Sequence, residues 1–404
     1  MYPKFSDLIN DLLGTNIQLP FQMFGFMLGI SFLCAAISLH SELKRKYAQG
    51  LLPKVKITQI KGAKATPMEL FSAALFGFII GFKGVYGILN YSKLVDDPQT
   101  FLLSMDGNWI AGIIGAIAFA YYQYSDSEKK KLDTPKTIVE WVEPKHITGN
   151  FTINAMIGGI LGAKIFHMLE NMDDFYRDPI DAIISFSGLT FYGGVIVATI
   201  TILWYSKKLK FHPLHISDSI VPGLMLAYAT GRLGCQLSGD GDWGINNLNP
   251  QPSWFAMFPS WAWAYDYPHN VLGEGVAIAN CEGKFCTHLE YPVYPTPLYE
   301  FVACSILFLI MWVSRKRVHL AGFITCLYLV LNGVERFLIE LIRINNKINF
   351  FGIVCTQAEL IATMMVIAGL IGFVLIYKNR NKLYLMKTTV TEENAQGENA
   401  SIPN

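Results

Sequence analysis

Nine long apolar runs leave this chain few ways to fold. They lie at roughly Phe21–Leu39, Met68–Asn90, Trp109–Tyr124, Phe151–Leu169, Leu189–Tyr205, Ile216–Leu237, Pro297–Val313, Leu320–Leu341 and Thr356–Tyr377. A bilayer-spanning helix needs about 20 mostly apolar residues. With 52% hydrophobic and only 16% charged residues over 404 positions, the pattern predicts an all-α polytopic membrane protein of about nine transmembrane helices.

Lys and Arg collect in cytoplasmic loops, which sets the orientation. If the loop after the first run is cytoplasmic, that side holds 22 of the 32 basic residues and the opposite side holds six: Lys4, Lys93, Arg177, Lys284, Arg343 and Lys347. The N-terminus is then outside and the C-terminus in the cytoplasm. The expected organisation is an external segment 1–20 and a bundle 21–380 with an extracytoplasmic loop or head at 238–296. A polar cytoplasmic tail, 381–404, follows, its part from Thr388 onward too polar to fold alone. No basic n-region precedes the first run and no cleavage site follows it, so it reads as an uncleaved anchor. A net charge of +1 with no basic stripe gives no sign of a nucleic-acid partner. The seven cysteines show no metal spacing, and no metal is expected; Cys281 and Cys286 share the outer loop and can pair in an oxidising compartment. Gly77–Asn90 and Gly158–Asn171 echo each other, each a small-residue stretch with one lysine.

The informative residues are those that do not belong in lipid, because a mid-bilayer charge costs about 2.5–3.5 kcal/mol on insertion scales. Arg232 lies in Gly231-Arg-Leu-Gly-Cys-Gln-Leu-Ser-Gly-Asp-Gly-Asp-Trp-Gly244, and Arg336 in Asn332-Gly-Val-Glu-Arg-Phe-Leu-Ile-Glu340. Each falls about 10 Å below the outer end of its helix at 1.5 Å per residue. Asn332, Arg336, Glu340 and Arg343 share one helical face. Tyr192-Gly193-Gly194, Tyr299 and Glu300, and Lys164 with His167 fall at the same depth, and no comparable group is expected in the cytoplasmic halves. The pattern predicts a one-sided pocket open to the outer leaflet. A transport path would need polar residues at both depths.

Arginine's planar fork matches phosphate and stays charged. Arg232 and Arg336 therefore suit a lipid phosphate, with Asp240, Glu300 and Glu340 available for hydroxyls or proton transfer. The same residues also fit a structural reading in which each arginine is a buried staple for Asp240 or Glu340. Arg343 reads as a snorkelling or loop residue, Glu335 faces elsewhere, and His212, His215 and His319 read as cytoplasmic surface residues.

At these residues the chain resembles the prolipoprotein diacylglyceryl transferase family. The Gly231–Gly244 segment carries most of the likeness, supported by Phe191–Gly194, Pro295–Glu300, Arg336–Glu340 and Phe24-Gly25-Phe26. The stretch 50–125, with two spans, looks like an insertion into a seven-span architecture. The resemblance implies phosphatidylglycerol as donor, the lipobox cysteine of prolipoproteins as acceptor, glycerol 1-phosphate as leaving group and no cofactor. It also implies residence in the bacterial inner membrane. Arg232 and Arg336 match the family's essential arginines, and Gly193, Gly194, Gly234, Gly239, Tyr299 and Glu300 fall in the matching substrate-binding segments.

Three positions depart from the family pattern. Tyr192 stands for a histidine favoured as general base, Cys235 for an asparagine, and Phe24 for a tyrosine. A phenol with pKa near 10 is a poor base at neutral pH, which leaves Asp240, Glu300, Glu340 or His167. Cys235 reads as a small filler. The alternative is a catalytically silent lipid-binding relative or scaffold.

Overall fold

The structure, a computed structural model, describes residues 1–179, 183, 190–281, 283–318, 320–345, 347–350 and 352–380. His319, the start of the run at Leu189 and the expected tail 381–404 lie outside them. Among the described residues, helices of 18 or more residues coincide with all nine predicted runs: α1 Met23–Ala48, α2 Pro67–Leu89, α3 Trp109–Lys129, α4 Thr148–Glu170, α5 Phe191–Lys208, α6 Pro213–Ser238, α7 Thr296–Arg317, α8 Phe323–Glu340 and α9 Gln357–Lys378. Five are long and apolar enough to cross a membrane: α1, α2, α4 with its preceding turn, α7 and α9. The other four are diluted by polar residues, in α6 and α8 by the groups the sequence singles out.

Helix ends follow local chemistry. Thr66 opens α2 and Thr356 opens α9, each in a reciprocal capping box with the glutamate three residues on. Pro213 starts α6, where its missing N–H costs nothing. Gly239 ends α6 in the left-handed region at φ 64°, turning the chain toward Asp242.

The chain forms two compact units. The first comprises Met1–Asp7, Gln22–Lys54 and the residues from Glu143 onward. Within it α1 packs along α6, α4 along α5, α6 against α7, and α8 against α9. Val221, Met225 and Ala229 of α6 meet Cys304 and Met311 of α7 and Ile324 of α8 in its apolar core.

The second unit is Leu8–Phe21 with Val55–Val142, wider than the stretch 50–125 read as an insertion. Helices α2 and α3 touch through Gly77, Gly81, Gly112 and Gly115, where an added Cβ would strike the facing helix. Strands β1 (Val55–Lys61) and β2 (Lys136–Val142) pair antiparallel from Val55↔Val142 to Lys61↔Lys136.

The internal echo is also an echo of local structure. Asn90 and Asn171 cap α2 and α4 with near-identical φ/ψ, −123°/47° and −125°/56°. Each donates its backbone N–H and side-chain amide to the carbonyl four residues back. A six-residue helix follows each one, Tyr91–Asp96 and Met172–Arg177. Gly158 and Gly162 of α4 face α5 as Gly77 and Gly81 face α3.

One expectation is corrected. The ends of α1, α6 and α7 remote from Arg232 carry a second buried charged network. Glu42 pairs with Arg315 and, at 2.6 Å, with Arg45. Lys46 donates to the His215 carbonyl at 2.6 Å. Asp218 accepts from the Gly322 and Thr325 N–H groups at 2.7 and 2.8 Å, capping α8 from a neighbouring helix. His215 is buried here rather than on the surface. Apolar runs stop at charges, but α1 continues to Ala48 and turns those charges inward. The apolar cluster of α6, α7 and α8 lies between Asp218 and Arg232 along α6.

Candidate active site

Three helix ends and one loop bring six charged side chains together. Arg232 sits two turns from the end of α6 and Asp242 in the turn after Gly239. Glu300 lies in the first turns of α7. Arg336 and Glu340 close α8, and Arg343 lies just beyond. The two loop residues are held by short backbone links. Gly244 bridges to Arg343, Gly244 N–H donates to the Tyr294 carbonyl at 2.9 Å, and Ile245 N–H donates to the Ile342 carbonyl at 2.9 Å. A Cβ at Gly244 would meet the Ile342 carbonyl and Thr296 at 2.5 and 2.9 Å, so only glycine allows this approach. Thr296 Oγ1 donates to the Asp242 carbonyl at 2.7 Å.

Glu300 is the hub. Its side chain is fully buried and accepts from Tyr228 Oη at 2.8 Å. It pairs with Arg336 at 3.1 Å, Arg232 at 3.3 Å and Arg343 at 3.6 Å. Asp242 pairs with Arg232 and with Arg343 at 2.5 Å. Glu340 pairs with Arg336 at 2.9 Å and accepts from Asn345 at 2.6 Å. Three guanidiniums thus face three carboxylates. The Arg232 guanidinium also lies over the Tyr228 ring, 5.0 Å from its centre. Among the described residues, Arg343 Nε and Nη1 are buried with no acceptor within hydrogen-bond distance, and Glu335, next to Arg336, is buried beside Cys304.

Asp240 stands apart from these pairs. Its Oδ1 is buried with no hydrogen bond among the described residues. Burial, then the like charge of Asp242, raises its pKa above the usual carboxylate range. Asp242 goes the other way. Burial alone would raise it, but Arg232 and Arg343 outweigh burial and hold it below the usual range. The ligand atoms of Cys235, Asp240 and Asp242 lie within 4.8 Å of one another, a possible metal triad by distance. The two guanidiniums on Asp242 oppose a cation there.

Of the residues singled out by sequence, Arg232, Arg336, Glu300 and Glu340 are brought into one network, with Asp240 at its edge. Arg343 is a third arginine of the network, with a side chain only 9% exposed, and not a snorkelling residue. Asp242 and Tyr228 were missed. Asp242 is visible only as the second acid of Asp240-Gly-Asp242, and Tyr228 lies one turn before Arg232. The staple partners of Arg232 are Asp242 and Glu300, not Asp240.

The glycines serve packing. Gly193 and Gly194 abut Phe166 and the carbonyls of Gly162 and Gly159 on α4. Gly234 leaves room for Met27, whose Cβ would lie 2.8 Å away, and Gly239 forms the turn. Tyr192 is on α5, whose extensive neighbour is α4 rather than the helices carrying the arginines. Tyr299 Oη donates to the Ala262 carbonyl at 2.9 Å, fastening the loop to α7. His167 Nδ1 lies 3.1 Å from the Asn171 amide at the end of α4.

Residues 109–375 match the family described as prolipoprotein diacylglyceryl transferase. Among curated proteins, the chain is 28% identical to a phosphatidylglycerol–prolipoprotein diacylglyceryl transferase of Buchnera aphidicola, over 58% of this chain and 81% of that protein. It is 27% identical to the one of Burkholderia cenocepacia, over 56% and 77%. The one of Leptospira interrogans is 26% identical, over 64% and 75%.

Proposed function

The chain belongs to the prolipoprotein diacylglyceryl transferase family, and from that premise we propose that it transfers the diacylglyceryl group of phosphatidylglycerol to the lipobox cysteine of prolipoproteins. The observation that carries this reading is the buried convergence of three guanidiniums, in which Arg343 Nε and Nη1 make no hydrogen bond among the described residues and Nη1 has only the longer ion pair with Glu300. Buried donors without acceptors are costly, and an anionic phosphate oxygen is the chemistry that satisfies them.

The thiolate sulfur attacks the glycerol carbon, the carbon–oxygen bond to phosphate breaks, and glycerol 1-phosphate leaves. Arg232, Arg336 and Arg343 hold the phosphate and stabilise the charge that builds on it. Asp240 takes the thiol proton. Unlike Asp242, Glu300 and Glu340 it has no guanidinium pair among the described residues, and its pKa is raised above the usual carboxylate range, as suits a base. Glu340, committed to Arg336 and Asn345, orients the clamp and is a weaker candidate base. Glu300 fixes the spacing of the arginines. Tyr192 supplies a hydroxyl donor, and Gly193 and Gly194 set the position of its helix. Nucleophile and leaving group come from the two substrates, so the step calls for no cofactor. All nine long helices cross the bacterial inner membrane with the N-terminus outside, and the site opens to the outer leaflet.

A transport reading draws on the second charged network. The apolar cluster of α6, α7 and α8 between the two networks speaks against a polar path.

The test is rescue of bacteria depleted of their own transferase. Growth and lipidated lipoproteins on expression of this chain support the proposal. A chain that inserts, binds phosphatidylglycerol and leaves prolipoproteins unmodified is the silent relative.

A further inference from the structure

The loop between α6 and α7 contains a stretch without a single charge or histidine, from Ile245 to Tyr265. Outside a membrane such a stretch normally hides its apolar side chains. Here they point outward: Trp254 is 71% exposed and Met257 84%, with Leu248, Phe258 and Trp261 also exposed. The segment is nevertheless firmly built. Asn247 donates to the Trp263 carbonyl at 2.7 Å, and Trp263 Nε1 donates to the Asn249 carbonyl at 3.0 Å, closing its base. Gln251 Nε2 reaches the Phe255 and Phe258 carbonyls at 2.9 and 2.8 Å, holding the tip. The Phe255 ring packs against Trp254, Phe258 and Trp263. The exposed groups therefore stand on a fixed platform.

The height of that platform follows from one bond. Tyr299, in the first turn of α7, donates to the Ala262 carbonyl, and α7 is one of the helices long and apolar enough to cross a membrane. The base of the segment is therefore level with the end of a membrane helix. Side chains at that level meet the headgroup–acyl boundary, where Trp and Tyr are enriched. An apolar patch rimmed by uncharged polar groups marks an interaction surface, and the complete lack of charge suits lipid rather than an acidic or basic protein.

We propose that residues 245–265 form a lipid-interface anchor, with Trp254, Met257 and Phe258 inserted into the leaflet at the N-terminal end of α7. The anchor holds the loop that carries Asp242 against the bilayer surface. The inference rests on membrane embedding and not on the transfer reaction, so its readout is not activity.

The test uses the full chain in nanodiscs, with lipids brominated at shallow or deep acyl positions, or with aqueous acrylamide, as quenchers. Eight tryptophans contribute to the emission, so the Trp254 signal is taken as the difference between the wild type and Trp254→Phe, a change small enough to keep the fold. The shallow bromolipid should remove roughly half or more of that difference signal and acrylamide little of it, as for an interfacial ring. Quenching by acrylamide with no effect of bromolipid would overturn the proposal. So would a Trp254 signal shielded from acrylamide only once a lipobox peptide is added, which would assign the surface to the acceptor.

Discussion

Replacing Glu300 by Gln keeps the shape of the hub and removes its charge. Glu300 is fully buried, faces Arg232, Arg336 and Arg343, and accepts from Tyr228. The amide oxygen can keep the tyrosine hydrogen bond, but the balance of three cations against three anions is lost. Removing one partner of a buried ion pair costs about 3–5 kcal/mol, because the remaining charge is left uncompensated. Glu300→Gln should therefore unfold earlier in detergent by an amount in that range. The excess positive charge sits where the account places the lipid phosphate, so phosphatidylglycerol should restore stability to the variant more than it stabilises the wild type. A ligand at a hundred times its Kd contributes about 2.7 kcal/mol, and tighter binding to the variant adds to this. The assay is thermal unfolding of both proteins with increasing phosphatidylglycerol or diacylglycerol, which lacks the phosphate. A variant within about 0.5 kcal/mol of the wild type would refute the hub, since surface-like substitutions fall in that range. Equal stabilisation by both lipids would refute the phosphate site.

Asp240→Asn should lower the transfer rate by about a hundred- to ten-thousandfold, the usual worth of a general base, and the wild-type rate should fall as pH drops through the raised Asp240 pKa. The sign for stability is opposite: a carboxyl whose folded pKa lies above its unfolded value stabilises the fold at low pH and loses that contribution as pH rises. The Asn variant should thus be at least as stable as the wild type at neutral pH, which unfolding curves at pH 5 and 8 would check. Tyr192→Phe should cost roughly ten- to a thousandfold, one lost hydrogen-bond donor; abolition of transfer together with loss of an alkaline limb would make the tyrosine the base. Cys281 and Cys286 are joined in the structure, Cα–Cα 5.6 Å. An impermeant thiol reagent should reach them in spheroplasts only after reduction, and labelling only after lysis would reverse the proposed orientation.

The helices were legible in the sequence because lipid-length apolar runs have few other uses, and every predicted run coincides with a long helix. Arg232, Arg336, Glu300 and Glu340 were legible for the complementary reason, that charge inside such a run needs a partner. Asp242 was not, because it lies past a helix end, where charge is ordinary, and Arg343, though placed on the face of Arg336 and Glu340, was read as a snorkelling or loop residue for the same reason. The backbone bridge from Gly244 to Arg343 and the Thr296 hydrogen bond to the Asp242 carbonyl bring them inward. The Gly239 turn likewise decides that Asp242, and not Asp240, meets Arg232, a choice that spacing alone leaves open. The second network escaped because a span read from hydropathy stops at its first charges, whereas α1 runs on and buries Glu42 and Lys46. Gly193 and Gly194, which fall in a segment matching the family's substrate-binding region, admit the backbone of α4, as Gly112 and Gly115 admit α2.

The most direct measurement is transfer from glycerol-labelled phosphatidylglycerol to a lipobox peptide by the purified chain, reading peptide mass and released glycerol phosphate together. The account predicts a thioether-linked diacylglyceryl peptide and one glycerol 1-phosphate per transfer by the wild type. Arg232→Ala and Arg336→Lys should fold yet lose most of the rate, because an ammonium cannot supply the bidentate fork. Well-folded Arg232→Ala and Arg336→Lys variants that keep near wild-type rates, or a wild type that binds the lipid and leaves the peptide unchanged, would contradict it.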